Sequence, residues 1–154
     1  MKRAAVWLIL LLTFVGIADA AYLAESETTG TPLVCNIQGL TGCNVVAQSE
    51  YSRLFGIPVA DYGVAFYAVL FALAALEVAL VAVAIRRTIQ ALALVGVLTS
   101  AVFVYVQLAL IHAICIYCMA SAFISLLIFI CSLPLEHWPS KKRADALPIR
   151  LGDA

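Results

Sequence analysis

The sequence predicts an all-α integral membrane protein, a four-transmembrane-helix bundle with a short amphipathic helix in its first outer loop. The first reason is composition: 65% of the 154 residues are hydrophobic and 12% are charged, against about half and about a quarter in typical soluble domains. The second reason is that four apolar windows reach about 20 residues, the length that crosses a hydrocarbon core as a helix. A soluble fold could not bury so much apolar surface.

Polar or charged residues lie at the ends of each apolar window and define the expected membrane spans. The spans are about Ala4–Ala24, Tyr62–Ile85, Ile89–Ile111 and Ile114–Leu133. We expect residues 25–61 to form the first outer loop and residues 134–154 to form a poorly ordered tail. We expect one membrane domain over residues 1–154.

The basic residues predict how the bundle is oriented. Eight of the nine flank one set of span ends, namely Lys2, Arg3, Arg86, Arg87, Lys141, Lys142, Arg143 and Arg150. By the positive-inside rule this side, with both termini, faces the cytoplasm. The loop 25–61 and the turn His112–Ile114 then lie on the periplasmic, extracellular or lumenal side, where the cytosol does not keep thiols reduced. The net charge is zero and no basic patch lies elsewhere, so nucleic-acid binding is not indicated.

The first window has an alternative interpretation as a cleavable secretory signal. Lys2-Arg3, the apolar run and the small residues of Ala18-Asp19-Ala20 match the three regions of such a signal. The apolar stretch resumes at Ala21 and continues to Ala24, however, which gives a length that spans a bilayer. We therefore expect this segment to be retained as a helix.

Cys35 and Cys43 form the first cysteine pair, in the outer loop. Eight positions separate them, and Gly39 and Gly42 permit the positive-φ turns that a small disulfide loop requires. Disulfides in exported loops are mostly structural, so a purely structural pair remains an alternative. A small four-helix protein in lipid has little need of such a staple, which favours a redox role.

Residues 44–55 are predicted to form the amphipathic helix on the bilayer surface. Asn44 is suited to cap it, and Gly56 followed by Pro58 is suited to end it. Between them an apolar stripe recurs at helical spacing: Val45, Val46, Ser49, Leu54 and Phe55. Cys43 would lie at the positive end of the helix dipole, where a thiolate is favoured, so we expect it to be the more reactive member of its pair.

Cys115-x-x-Cys118 forms the second pair, at the start of the fourth span. The i, i+3 spacing places both sulfurs on one helical face, and Cys115 gains most from the helix dipole. CxxC at a helix start is typical of thiol–disulfide oxidoreductases. Zinc ligation by the two pairs with His112 is the alternative, although flexible Gly-flanked spacing disfavours it and we expect no metal. Cys131 lies about 24 Å deeper along the helix and is expected to be inert and buried.

With these motifs the chain resembles the vitamin K epoxide reductase family over about residues 4–133. The resemblance rests on Cys35-x7-Cys43, Ser49, Gly63-Val-Ala-Phe-Tyr67 and Cys115-x-x-Cys118. In the bacterial disulfide-bond protein B family, which also has four helices and two cysteine pairs, the CxxC comes first, and that order is reversed here.

The resemblance implies an electron relay that drives disulfide formation in exported proteins. In this family a thioredoxin-fold (DsbA-like) protein on the outer face reduces the loop pair, the loop pair reduces the CxxC, and the CxxC reduces a quinone among the helices. By motif, Cys35 would face the partner, Cys43 would bridge transiently to Cys115, and Cys118 would face the quinone. The expected acceptor is menaquinone, ubiquinone or vitamin K.

Ser49, Tyr62, Phe66 and Tyr67 are the candidate quinone contacts. Ser49 matches the family serine near the reaction centre, and the three rings could stack on a quinone. Ser49 could instead be a plain polar residue on an interfacial helix, and the three aromatic residues could belong to the ordinary aromatic belt at the membrane surface. His112, one turn before Cys115, is the acid–base candidate, or else a plain interfacial histidine.

The chain departs from the animal enzymes of this family at two places. Ala122 stands where they carry a tyrosine, and Val59-Ala60-Asp61 replaces an asparagine. We therefore expect a prokaryotic plasma-membrane enzyme, with vitamin K epoxide reduction in the endoplasmic reticulum as an alternative and a non-catalytic disulfide-containing subunit as another. About twenty residues follow Leu133, which is too few for a fused thioredoxin-like domain. We therefore expect the redox partner to be a separate exported protein.

Glu77 is a carboxyl group within the second apolar window. A charge inside a membrane is costly and usually marks a functional or paired group. We expect it to face the bundle and to find a polar partner in Gln90 or Thr99.

Overall fold

The computed structural model describes residues 2–35 and 42–135, which are organised around five helices. These are α1 (Lys2–Thr29), α2 (Cys43–Ala47), α3 (Val59–Leu80), α4 (Val83–Val106) and α5 (Ile116–Ser132). A 3₁₀ turn (Glu50–Ser52) and a two-stranded antiparallel hairpin, β1 (Arg53–Leu54) with β2 (Ile57–Pro58), connect α2 to α3. A π-helical segment (Gln107–Ile111) continues α4, and a 3₁₀ turn (Leu133–Leu135) follows α5. The predicted basic tail, Gly39 and the rest of 36–41 lie outside the described residues.

Three long apolar helices and one shorter apolar helix form the bundle. Ala4–Thr29, Val59–Leu80 and Val83–Ile111 are long and apolar enough to cross a membrane, and Ile116–Ser132 is apolar but shorter. Helix α1 packs against α3 and α5, and α4 packs against α5 and α3. Outward-facing apolar side chains such as Trp7, Phe14 and Leu98 remain exposed, as expected for a surface that lipid covers.

The bundle core places two aromatic rings of α3 against glycines. Tyr67 and Leu70 belong to a buried apolar cluster with residues of α1, α4 and α5. A Cβ atom at Gly16 would lie 2.7 Å from the Tyr67 ring, and one at Gly96 would lie 2.5 Å from Phe66 Cζ. These glycines on α1 and α4 therefore let both rings enter the space between the helices.

The first helix extends beyond its predicted end. It reaches Thr29 rather than Ala24, because the polar residues that follow the apolar window remain helical. The hydroxyl groups of Thr28 and Thr29 donate hydrogen bonds to the carbonyls of Ala24 and Glu25. The predicted start of the outer loop at residue 25 is therefore wrong by about one helical turn.

The turn between the second and third long helices lies earlier than predicted. Helix α3 ends at Leu80, not at Ile85, and Val81 takes a left-handed conformation with φ 46°. The arginines Arg86 and Arg87 lie within α4 rather than in the turn. The turn is built from apolar residues, so the sequence carries no polar signal for it.

Glu77 pairs with Arg86, and the predicted partners Gln90 and Thr99 are wrong. Arg86 Nε donates a hydrogen bond to Glu77 Oε1, and the backbone N–H of Ala82 donates one to Glu77 Oε2 at 3.1 Å. Gln90 instead donates to the Ser132 carbonyl at 3.0 Å. The turn thus brings Arg86 of α4 to Glu77 near the end of α3. The attraction between the two buried charges offsets the cost of removing them from water.

The predicted amphipathic helix over residues 44–55 is also wrong. Helix α2 ends at Ala47, and Phe55 (φ 55°) and Gly56 (φ 83°) form the turn of the hairpin. Asn44 does not cap the helix. Its side chain accepts a hydrogen bond from Leu33 N at 2.8 Å and donates one to Leu33 O at 3.3 Å, which ties α2 to the segment that carries Cys35.

Candidate active site

The loop pair, Cys35 and Cys43, is a disulfide, whereas Cys115 and Cys118 (the CxxC pair) and Cys131 are free thiols. The Cα atoms of the loop pair are 6.3 Å apart. Cys43 is fully buried as the first residue of α2, and Cys35 is half-buried. Cys131 is half-buried against the bundle core, less buried than expected.

Side chains of α1 and α5 hold the segment that leads into Cys35. Tyr117 Oη donates a hydrogen bond to the Val34 carbonyl at 2.9 Å, and Val34 N donates to Tyr22 Oη at 3.4 Å. The rings of Tyr22 and Tyr117 have centroids 5.2 Å apart. The loop disulfide is therefore anchored beside the first turn of α5.

The two cysteine pairs meet in one buried cluster. Cys43 and Cys115 are buried together with Leu33, and Cys35 and Cys118 pack against them. The cysteines of one pair lie 72 to 83 residues from those of the other in sequence, so their spacing does not predict this contact. The fold brings the pairs together.

Gly42 allows this approach through its lack of a side chain. A Cβ atom at Gly42 would lie 2.7 Å from Ile114 N and 2.9 Å from Ala113 Cβ. The residue has φ −79°, so the predicted need for a positive φ at Gly42 is wrong. Its role is to let the start of α2 lie against the backbone that leads into Cys115.

Cys115 occupies the N-cap position of α5. Its backbone N–H donates a hydrogen bond to Gln107 Oε1 at 3.0 Å. A hydrogen bond with the Cys118 thiol lowers the pKa of Cys115 to about 7, and backbone N–H groups of Cys118 and Tyr117 add to this, against burial and the Asp19 charge. A large share of Cys115 is therefore thiolate at neutral pH, the form that attacks disulfides.

Gln107 is a site residue that sequence reasoning missed. It begins the π-helical segment, is 3% exposed, and holds the Cys115 backbone with its carboxamide. Single π-helical turns often occur at functional sites. The available signal was a carboxamide inside the third apolar window, two turns before the CxxC.

A cavity of about 330 Å³ opens between the helices beside the cysteines. Cys43, Cys115 and Cys118 line it, and all four predicted quinone contacts do so as well: Ser49, Tyr62, Phe66 and Tyr67. The wall is mainly apolar with a few polar groups, and the volume lies within the range of small-molecule sites. The cavity is therefore a candidate binding site for a small, mainly apolar molecule beside the cysteines.

Tyr67 is a fixed part of the cavity wall. It is 1% exposed, and its ring lies 5.2 Å from that of Phe66. Its hydroxyl lies 2.8 Å from Ser121 Oγ, 2.9 Å from Ser121 O and 3.0 Å from Ser125 Oγ. Ser121 and Ser125 also line the cavity, although sequence reasoning did not select them.

The hydroxyl groups of Ser49 and Tyr62 bind backbone carbonyls, and His112 lies outside the cavity wall. Ser49 Oγ donates to Val46 O at 2.7 Å, and Tyr62 Oη donates to Leu54 O at 3.3 Å. His112 is exposed, with φ 53°, and is not among the described residues that line the cavity. The structure therefore does not bring the acid–base candidate to the cavity.

Two carboxyl groups of α1 line the cavity and were not predicted as site residues. They are Asp19 and Glu27, both half-buried. Asp19 was considered only as part of a secretory-signal pattern. The signal that could have found it is a carboxyl group inside an apolar window, which by default indicates function. Across residues 2–35 and 42–135, no three His, Cys, Asp or Glu side chains are grouped so as to hold a metal ion.

Comparison with known proteins identifies the family of this chain. Residues 7–133 match the vitamin K epoxide reductase family, a range that includes both cysteine pairs. The chain is also 35% identical over 122 residues to "Thiol-disulfide oxidoreductase LTO1" of Arabidopsis thaliana, which covers 75% of this chain and 32% of that protein. The chain thus spans about a third of the length of that relative. It belongs to the vitamin K epoxide reductase family of oxidoreductases.

Proposed function

We propose that this protein is a membrane thiol–disulfide oxidoreductase that oxidises a dithiol protein and passes the electrons to a quinone. The electrons enter at the loop pair, pass to the CxxC pair, and leave through the cavity. One observation carries the proposal: Cys43 and Cys115 share a buried cluster, and both line the cavity together with Cys118. The product is a disulfide in the partner, so the reaction drives disulfide formation in exported proteins.

The first exchange takes place at Cys35. Cys35 is half-buried and Cys43 is fully buried, so a partner thiolate reaches Cys35 more easily. Its attack breaks the Cys35–Cys43 bond, forms a mixed disulfide with Cys35 and releases Cys43 as a thiolate. A second partner thiol then displaces Cys35, which leaves the partner oxidised and the loop pair reduced by two electrons. The partner class that fits this chemistry is an outer-face thioredoxin-fold (DsbA-like) protein.

The second exchange joins Cys43 to Cys115. When the CxxC pair is a disulfide, the Cys43 thiolate attacks Cys115 and releases Cys118. Cys35 then attacks Cys43, which restores the loop disulfide and releases Cys115. The described arrangement, with a loop disulfide and a CxxC dithiol, corresponds to the state after this transfer.

The cavity residues would hold the final electron acceptor. Phe66 and Tyr67 supply an aromatic wall, and Ser49 and Tyr62 supply polar groups near its edge. When bound there, a quinone supplies an acceptor for two electrons and two protons from the CxxC dithiol. Menaquinone, ubiquinone and vitamin K all contain a flat quinone ring that this wall would contact, although that ring is fused to a second one in menaquinone and vitamin K.

The proposed site lies on the outer side of a prokaryotic plasma membrane. Four helices cross the bilayer in this proposal, with α5 as the shortest, and both termini are cytoplasmic. The asymmetric distribution of basic residues supports this orientation. The whole chain, residues 1–154, then forms one membrane domain, and the periplasmic or extracellular phase supplies the partner.

Quinone reduction by the purified protein tests the proposal. A reduced thioredoxin-fold protein is the electron donor, quinone loss is followed by absorbance, and Cys118→Ala is compared with Cys131→Ala. We expect the first variant to lose activity and the second to retain it, because only Cys118 belongs to the relay. Wild-type protein that reduces none of the three quinones would contradict the proposal, as would undiminished activity of Cys118→Ala.

A further inference from the structure

Asp19 and Glu27 raise a question that the cysteine relay leaves open. Both are carboxyl groups on α1, and both line an otherwise apolar cavity. Carboxyl groups inside a membrane bundle are costly and tend to carry protons or ions. Glu27 Oε2 is buried without a hydrogen-bond partner among the described residues, so the fold does not use that oxygen for stability.

The chemistry of the cavity requires proton movement. Oxidation of the CxxC dithiol by a quinone breaks two S–H bonds and forms one S–S bond and two O–H bonds. Two electrons and two protons leave the sulfurs, and the protons must reach oxygen within apolar walls. A carboxyl group that accepts a proton and releases it again is unchanged overall.

Asp19 is the carboxyl group of the cavity wall whose charge acts on both cysteines of the CxxC pair. It shares the cavity with Cys115, Cys118 and Tyr67, and its charge is close enough to oppose ionisation of Cys115. The Tyr67 hydroxyl is engaged with Ser121 and Ser125. His112 does not line the cavity. Asp19 is therefore the carboxyl group placed to take a proton from a CxxC thiol.

Glu27 lies on the wall between the cavity and a second, polar pocket. It is eight residues beyond Asp19, about 12 Å further along α1. The polar pocket has a volume of about 360 Å³, and Ser26, Asn44, Gln48, Glu50 and Arg53 are among its lining residues. Glu27 lines both spaces, and charges of Arg53 and Asp61 act on it. It is therefore placed to exchange protons between solvent and the cavity.

We propose that Asp19 carries both protons of the CxxC dithiol to the electron acceptor, and that Glu27 returns protons to the cavity from the polar pocket. The inference rests on the proposed function, because it assumes quinone reduction at this cavity. In each cycle Asp19 accepts the two protons of the dithiol one after the other and gives each to an acceptor oxygen. Glu27 supplies two protons when the CxxC disulfide is next reduced to the dithiol.

Two kinetic regimes separate the two roles. In a single turnover at a pH well below 7, where little Cys115 is thiolate, fully reduced protein meets one equivalent of quinone and the protons are already on the thiols. In steady state with excess dithiol, protons must be taken up in every cycle. We expect Asp19→Asn to slow both regimes at least about tenfold. Glu27→Gln should slow only the steady state, and Glu25→Gln, at an exposed position on the same helix, should change neither.

Two further measurements distinguish proton transfer from a structural role. Quinone affinity of Asp19→Asn should stay within about twofold of wild type, so the loss appears in kcat rather than KM. In quinone-free protein, alkylation of Cys115 should reach half its maximal rate at a lower pH in Asp19→Asn, because an opposing charge is gone. Asp19→Glu should recover part of the single-turnover rate.

Several results would overturn the inference. Wild-type single-turnover rates in Asp19→Asn would do so, as would an equal loss of quinone affinity and rate, or an unchanged Cys115 alkylation profile. A Glu27→Gln variant that keeps the full steady-state rate would remove Glu27 from the path. These results presuppose an active wild type. A wild type that reduces no quinone would instead refute the proposed function.

Discussion

Gly42 lies directly against the backbone of Ile114, where a Cβ atom would come within 2.7 Å of the amide nitrogen. This approach places Cys43, the next residue, in the buried cluster that contains Cys115. Backbone atoms cannot move aside as the end of a flexible side chain can. The close contact therefore links the geometry of α2 to the electron transfer that we propose between the two cysteine pairs.

Substitution of Gly42 by alanine should slow that transfer. The added methyl group pushes α2 away from residues 113–114, and a displacement of about 1 Å can cost about 100-fold in rate. Reduction of the loop pair by a small dithiol should be unchanged, whereas appearance of the CxxC dithiol should be delayed by about 10- to 100-fold. Rapid quenching with an alkylating reagent and mass spectrometry measures both steps.

Gly30→Ala is the matched control for this substitution. Gly30 has φ 68°, so alanine strains the loop there, but its Cβ would meet nothing within 4 Å. Equal delays in the Gly30 and Gly42 variants would show that general loop strain, rather than the contact with Ile114, controls the exchange.

The reactivity of Cys115 should depend on pH around neutrality. Hydrogen bonds hold its pKa at about 7, below the ordinary thiol value of about 8.5. The thiolate fraction is then small below pH 7 and rises as the pH increases through that value. Iodoacetamide alkylation, read at Cys115 by fragment mass spectrometry, should show this midpoint in folded protein. A midpoint near 8.5 in both folded and denatured protein would contradict the expectation.

The buried pair Glu77–Arg86 should stabilise the turn between α3 and α4. Arg86→Leu leaves the Glu77 carboxylate buried without its main cation, a change that typically costs about 3–5 kcal/mol. We expect a clear fall in the thermal unfolding temperature in detergent. Quinone reduction below that temperature should be retained, because the pair lies away from the cavity-lining residues.

Glu77→Gln with Arg86→Leu is the informative control for the ion pair. Removal of both charges should restore much of the lost stability, since no uncompensated charge remains. A double variant as unstable as Arg86→Leu would show that Arg86 acts through contacts other than its pair with Glu77.

Structural features that depend on residues close together in the sequence were predictable from the sequence. The long apolar helices follow from runs of about 20 apolar residues, and Cys115 with Cys118 at the start of α5 follows from their spacing. The prediction failed where tertiary contacts decide the outcome. The turn at Val81 is apolar, and its position depends on Arg86 folding back to Glu77, which no local pattern records.

The candidate site shows the same division. The four cysteines of the two pairs and the four proposed quinone contacts lie in or next to recognisable motifs, and the fold brings all of these residues except Cys35 to one cavity. Asp19 was missed because it also fits a secretory-signal pattern, and Gln107 because only packing shows which face a single carboxamide within an apolar run occupies. His112 was selected for its closeness in sequence to Cys115, but its left-handed turn leaves it exposed.

The most direct test of the relay is a disulfide trap between Cys43 and Cys115. Cys35→Ser/Cys118→Ser protein lacks both thiols that would otherwise break a Cys43–Cys115 disulfide. Mild oxidation followed by peptide mapping should therefore find Cys43 bonded to Cys115. In Cys35→Ser/Cys115→Ser protein, Cys43 should not bond to Cys118 in comparable yield. A Cys43 thiol that stays free in the first variant, or that pairs instead with Cys131, would contradict electron transfer from the loop pair to Cys115.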